Sequence, residues 1–96
     1  MAIQNNSSEK GKNVLVIGLG YVGLTFAIHC CDKEYNVYGI EINETILSSL
    51  NSNKAHFLEP GIDDLISKYK DKSFFCLSSV PENIEFDYII ISVGTP

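Results

Sequence analysis

A chain of 96 residues, 45% hydrophobic and 10% aromatic, has material for one compact domain and none for a second. Twelve acidic residues stand against seven lysines and no arginine, so the net charge is -5; nucleic acid and anionic membrane surfaces, both bound through basic patches, are poor partners for it. The longest apolar runs, Val14–Leu19 and Tyr88–Ser92, fall far short of the roughly 18 residues a membrane span needs.

Residues 1–12 are polar, with Asn5, Asn6, Ser7 and Ser8 ahead of Glu9, Lys10 and Lys12, and they hold no apolar core of a signal peptide. They read as a flexible lead-in to a partial dinucleotide-binding domain over 13–96. Asn13–Ile17 is β-branched and apolar and stops at Gly18, the pattern of a strand buried on both faces. From Tyr21 the apolar positions Leu24, Ala27, Ile28 and Cys31 form one stripe of a helix that ends near Asp32. A second strand fits Asn36–Ile42 after the polar turn at Lys33 and Glu34. Asn43 is placed to cap a helix whose inner face is Ile46, Leu47 and Leu50.

Leu58, Ile62, Leu65, Ile66 and Tyr69 then repeat at helical spacing. Pro60 suits the first turn, and Asp63 and Asp64 suit the positive end of the helix. Ser73–Leu77 is a third strand candidate and Tyr88–Val93 the strongest strand signal, separated by the polar stretch Ser78–Asp87. Strands alternating with helices in this order predict an α/β fold, a Rossmann-like doubly wound parallel sheet truncated after about four strands. The expected strand order, 3-2-1-4, leaves Ile89, Ile90 and Ile91 on a bare sheet edge that invites self-association, and a homo-oligomer is expected.

The chemistry-bearing motif is Gly18-Leu19-Gly20-Tyr21-Val22-Gly23, between the first strand and the first helix. In that context Gly18 allows the tight turn, Gly20 leaves room for a pyrophosphate, and Gly23 lets helix and strand approach. The free N–H groups around Tyr21 and Val22 face the phosphates from the positive end of the helix. The bland alternative is a glycine turn that only helps a helix pack. Glu41, eighteen positions after Gly23, closes the second strand, where a carboxylate accepts hydrogen bonds from ribose hydroxyls and repels a 2′-phosphate; without arginine in the chain, NAD is favoured over NADP. The lesser alternative for Glu41, taken alone, is a solvated strand end. Glu44 competes with it but sits on the next helix, pointing outward.

Cys30, Cys31 and Cys76 have neither disulfide nor metal spacing and read as reduced, buried thiols of a cytoplasmic protein. No activating base accompanies them, so none is expected to be a nucleophile. His29 and His56 lack partners at ligand spacing, so no metal site is expected.

Four segments in order, Val16–Leu24, Gly39–Asn43, Glu59–Ile62 and Ile91–Pro96, resemble the N-terminal domain of the UDP-glucose/GDP-mannose dehydrogenase family over about residues 13–96. That resemblance implies an NAD-dependent oxidoreductase of polysaccharide biosynthesis that oxidises the C6 hydroxyl of a nucleotide-linked sugar to a carboxylate through a cysteine-bound intermediate. Carried over by position, Gly18, Gly20, Tyr21, Val22 and Gly23 hold the pyrophosphate, Glu41 holds the ribose, and Thr95 lies beside the cofactor. Glu59, Pro60 and Gly61 form a loop near the mouth of the site or, equally, a plain helix start. The family usually has Asp where Glu41 stands, and a basic residue shortly after it where this chain has Ile46. The family's catalytic cysteine and sugar-nucleotide domains lie in later segments, so no catalytic residue is expected here. A stand-alone NAD-sensing module and the first half of another hydroxyacid dehydrogenase are the competing readings.

Overall fold

The computed structural model describes residues 9–93 of the chain. In chain order the elements are β1 (Asn13–Ile17), α1 (Tyr21–Asp32), β2 (Asn36–Ile40), α2 (Glu44–Asn51), α3 (Ile62–Tyr69), β3 (Phe74–Leu77) and β4 (Tyr88–Ile91). The four strands are parallel and ordered β3-β2-β1-β4, so the chain reverses its direction of travel across the sheet between β3 and β4. This is the predicted Rossmann-like arrangement.

Side-chain alternation along the strands gives the sheet two different faces. One presents Val14, Val16, Val37, Phe74 and Cys76, which join Leu24, Ala27, Ile28, Cys30 and Cys31 of α1, Leu50 of α2, and Ile62 and Ile66 of α3 in a single buried core. Both crossovers β1-α1-β2 and β2-α2-α3-β3 run the same way along the sheet, so one handedness puts all three helices on that face. On the other face Tyr38 stacks on Phe75 at 5.0 Å, and the β3–β4 connection lays Phe86 edge-on to Tyr38 at 5.5 Å. Among the described residues that face is covered by a loop and not by a helix. The loop is locked at its far end, where Asn13 N–H donates to Asp87 Oδ2 (2.8 Å) and Asp87 N–H donates to the Asn13 carbonyl (2.8 Å).

Four boundaries differ from the sequence-based expectation, the slightest being β3, which begins at Phe74 and not at Ser73. The strands β2 and β4 end at Ile40 and Ile91, short of Ile42 and Val93, because the chain turns away at the crevice described below. The third helix begins at Ile62 and excludes Pro60, because Gly61 adopts a left-handed conformation (φ 86) that cannot propagate the helix backwards. Leu58, assigned to its inner face, is consequently fully exposed. The expected cap holds: Asn43 Oδ1 accepts from Ile46 N–H at 3.0 Å.

The last four residues of the stretch expected to be a lead-in are tied to the sheet. Glu9 Oε1 accepts from the hydroxyls of Tyr35 and Tyr88, both at 3.0 Å, and Oε2 from Lys12 Nζ at 3.0 Å. The hydrogen bond from Lys12, then those from Tyr88 and Tyr35, hold the Glu9 carboxyl below its ordinary value. A carboxyl depressed in the folded state contributes stability above its unfolded value, and that contribution is lost as pH falls through the folded one. On acidification from about pH 6 to about pH 3, the thermal midpoint of the parent should therefore fall further than that of Glu9→Gln, measured by circular dichroism. Equal losses would show that the clamp contributes nothing.

Among the described residues strand β4 has β1 on one side only, and Ile89 and Ile91 are exposed on it. An open apolar edge pairs with further strands. The chain should associate with itself in a concentration-dependent way that Ile89→Lys suppresses; light scattering showing a monomer at high concentration for the parent would refute this.

Candidate functional site

The glycine loop occupies the turn between β1 and α1, and its three glycines do three separate jobs. Gly18 has φ 97, and a side chain there would also collide with the Ser92 carbonyl at the end of β4. At Gly23 a Cβ would run into the Gly18 carbonyl, so the helix can lie against its own entry loop only with hydrogen at that position. Gly20 has nothing within 4 Å of where a Cβ would sit. The loop needs glycine at 18 and 23 to fold; at 20 the fold leaves empty space.

That space opens on a crevice of about 390 Å³ outside the carboxyl ends of β1, β2 and β4. Gly18 and Gly20 form one wall, Glu41, Asn43 and Ile46 the opposite one, and Ser92 and Val93 close the β4 side. Ligands of open parallel sheets bind at such a point, where the strand order reverses, as it does here between β1 and β4. Helix α1 begins at Tyr21 with Gly20 as its N-cap; no side chain caps it and no acidic residue lies in its first turn. Its first N–H groups and the positive end of its dipole are thus unpartnered and suited to an anion.

Glu41 is nearly buried, at 9% exposure. Its Oε1 accepts from Leu19 N–H at 2.8 Å and its Oε2 from Asn43 N–H at 2.9 Å. One carboxylate thus staples the glycine loop to the start of α2. A carboxylate offers about four acceptor positions, so two remain for a ligand in the crevice. Leu19 is itself seated by Gly39, where a Cβ would meet Leu19 Cδ1 at 2.7 Å. Glu44 is exposed on the first turn of α2, as expected.

Of the predicted site residues, the structure brings Gly18, Gly20 and Glu41 to one crevice. Tyr21 and Val22, both exposed, form the first turn of the adjoining helix, and Gly23 packs beneath the loop. Thr95 lies outside the described residues. Sequence reasoning missed two contacts. The Tyr21 hydroxyl donates to Glu59 Oε1 at 2.9 Å, and the Tyr21 ring meets Phe57 edge-on at 4.9 Å. Glu59 and Phe57 belong to the α2–α3 connection, so the loop placed near the mouth of the site touches the glycine motif directly.

The cysteines are buried and far from a reactive state. Desolvation pushes the thiols of Cys31 and Cys76 up to about 12 and raises that of Cys30, so all three are protonated at neutral pH. No cluster of potential metal ligands occurs among the described residues. A second cavity, of about 320 Å³, lies between α1 and β4; it is lined by apolar residues such as Val14, Phe26 and Ile90 and presents no helix N-terminus.

A parallel sheet with a glycine turn, an open helix N-terminus and an acid at the end of β2 defines a dinucleotide-binding domain of the dehydrogenase type. Residues 12–96 match the profile of the UDP-glucose/GDP-mannose dehydrogenase family, NAD binding domain. The UDP-N-acetyl-D-mannosamine dehydrogenase of Campylobacter jejuni is 39% identical over 83 residues, which are 86% of this chain and 20% of that enzyme. Two solved structures agree. The UDP-D-ManNAc dehydrogenase of Pyrococcus horikoshii superposes with a TM-score of 0.76 at 32% identity over 88% of this chain and 20% of its own. A ternary complex of GDP-mannose dehydrogenase from Pseudomonas aeruginosa gives 0.74 at 25% identity over 86% and 20%. The chain belongs to the UDP-glucose/GDP-mannose dehydrogenase family, within its NAD-binding domain, and spans about one fifth of the length of these relatives. NAD is the cofactor of that domain.

Removing the Glu41 carboxylate should cost stability whether or not cofactor is present. Glu41→Ala leaves two inward-facing N–H groups without a partner, and the expected loss is about 1–3 kcal/mol in denaturant unfolding. Glu41→Gln, which can turn its single acceptor oxygen to only one of the two amides, should lie between the alanine variant and the parent.

Proposed function

We propose that this chain is the NAD-binding portion of a nucleotide-sugar 6-dehydrogenase, which oxidises the C6 hydroxyl of a UDP- or GDP-linked sugar to a carboxylate in the cytoplasm for polysaccharide biosynthesis. The observation that carries the proposal is the empty space over Gly20 at the uncapped end of α1, facing Glu41 across one crevice in a chain of this family. The relatives that act on N-acetylmannosamine derivatives make UDP-N-acetylmannosamine the first sugar to try.

In this assignment the main-chain N–H groups at Tyr21 and Val22 receive the pyrophosphate, with Gly18, Gly20 and Gly23 allowing its approach. The free acceptor positions of Glu41 receive the ribose diol, and Thr95 lies beside the cofactor. The same carboxylate repels a 2′-phosphate, and no lysine lines the crevice to offset that, which supports NAD over NADP. Ile42, 86% exposed at the end of β2, and Ile46 offer an apolar surface on the adenosine side. When bound, NAD supplies the hydride acceptor. The chain's residues bind and orient it, and the three thiols, buried and protonated, take no part in the oxidation chemistry.

The partners in this proposal are NAD and a nucleotide sugar held by segments outside this chain, with no nucleic acid or membrane, and the whole protein is a homo-oligomer. The net charge of -5 supports the exclusion of polyanions, and no helix among the described residues is long and apolar enough to cross a membrane.

Calorimetric titration with NAD tests the site. The parent should bind, and Gly20→Val should weaken binding by at least about tenfold with an unchanged circular dichroism spectrum, because the added side chain takes the phosphate's space while its Cβ has no protein atom within 4 Å. Unchanged affinity would remove the assignment. Mixed with NAD and UDP-N-acetylmannosamine, the chain alone should form no NADH; turnover would overturn the division of labour proposed here.

A further inference from the structure

Gly20 is the least restrained point of the site, with no side chain, no neighbour over it and no side-chain cap on the helix it opens. Its two flanking residues are each held by a glutamate from elsewhere in the chain. Leu19 is held through its N–H by Glu41, and Tyr21 through its hydroxyl by Glu59, at 2.8 and 2.9 Å. The second restraint comes from the α2–α3 connection, and that connection is itself anchored. Ala55 N–H donates to Asp63 Oδ1 at 2.8 Å, Ser49 Oγ donates to the Lys54 carbonyl at 2.8 Å, and Ile62 N–H closes on the Glu59 carbonyl at 3.3 Å. Phe57, packed edge-on against the Tyr21 ring, fixes the ring's plane while Glu59 fixes its end.

We infer that Glu59 is a positioning residue for the pyrophosphate cradle, acting through Tyr21. The inference rests on the assignment of the cradle proposed above and adds to it a residue remote from the glycine motif in sequence. The physical reason is entropy. A loop with glycine at 18, 20 and 23 has more conformations to lose than any other, and amides that must converge on a diphosphate bind it tightly only when they converge beforehand. Tyr21 carries one of those amides at the first position of α1. Clamping its ring at Phe57 and Glu59 restrains its backbone from outside the crevice, while Glu41 restrains Leu19 from inside it. The hydrogen bond to Glu59 also raises the Tyr21 phenol above its ordinary value, which gives the contact its own spectroscopic signature.

The experiment is calorimetric NAD titration of the 96-residue chain and of Glu59→Ala, Glu59→Gln, Tyr21→Phe and the double variant Tyr21→Phe/Glu59→Ala, with Gly20→Val alongside. Glu59→Ala should weaken NAD binding about three- to tenfold, the range of one hydrogen bond. Glu59→Gln keeps an acceptor oxygen and should bind no more weakly than the parent. Tyr21→Phe should lose as much as Glu59→Ala, and the double variant no more than either single one. Absorbance titration of the phenols, with Tyr21→Phe subtracted to isolate Tyr21, should place Tyr21 higher in the parent than in Glu59→Ala. Full affinity in Glu59→Ala while Gly20→Val has lost it would overturn the inference and leave the cradle standing. Additive losses in the double variant, or a Tyr21 titration indifferent to residue 59, would overturn it as well. Binding that survives Gly20→Val, or a parent that binds no NAD, would end the cradle assignment and this inference together.

Discussion

The Glu41 carboxylate, nearly buried and shared between two main-chain amides, is the contact on which the site depends. A buried charge is tolerated only when hydrogen bonds replace its water, and here Leu19 and Asn43 supply them. The arrangement joins three segments: the glycine loop, the end of β2 and the start of α2. Asn43 has a double part in this. Its N–H satisfies Glu41, and its side chain caps the helix behind it. The crevice wall and the helix that supports it are therefore one hydrogen-bonded unit, and Leu19, seated against Gly39, locks that unit into the core.

The electrostatics follow from what the site lacks. No lysine lines the crevice and arginine is absent from the chain, so an anion there meets only main-chain dipoles and the N-terminus of α1. Such dipoles are strong partners only when they are fixed in advance, because a loop that must reorganise loses in entropy what it gains in hydrogen bonds. This explains why the glycine turn is restrained so heavily. Gly18 is confined by the end of β4, Gly23 by the Gly18 carbonyl, and Leu19 by Glu41. Two carboxylates near an anion site would otherwise be a poor choice. Each has its charge engaged by donors, Glu41 by two amides and Glu59 by a phenol.

Much of this was legible in the sequence, and the boundary of legibility has a physical origin. The apolar β-branched run in Asn13–Ile17, the helical stripe from Leu24 to Cys31 and the glycine spacing are local signals, and the elements they predict are present. The strand order is the one expected of a doubly wound α/β series. What misled was apolar character at a turn. Leu58 falls at helical spacing, but Gly61 enters the left-handed region and the helix starts after it. Ile42 continues an apolar strand in sequence, yet it stands exposed because the chain leaves the sheet to form the crevice. What was invisible was any contact whose partner is distant in the chain. Nothing in the neighbours of Glu41 announces that Leu19 N–H is its partner, and Tyr21 and Glu59 are 38 residues apart.

The two sides of the crevice are unequal, and the inequality bears on function. On the β2 side Glu41 is tied to Leu19 and Asn43, Asn43 caps α2 through Ile46, and the neighbouring core is closed. On the β4 side Ile91 and Val93 are exposed, and the strand's outer edge is free among the described residues. A dinucleotide laid across the β1–β4 reversal would thus find its adenosine half met by a rigid, finished surface, and its other half beside a strand that still has hydrogen-bonding capacity to give.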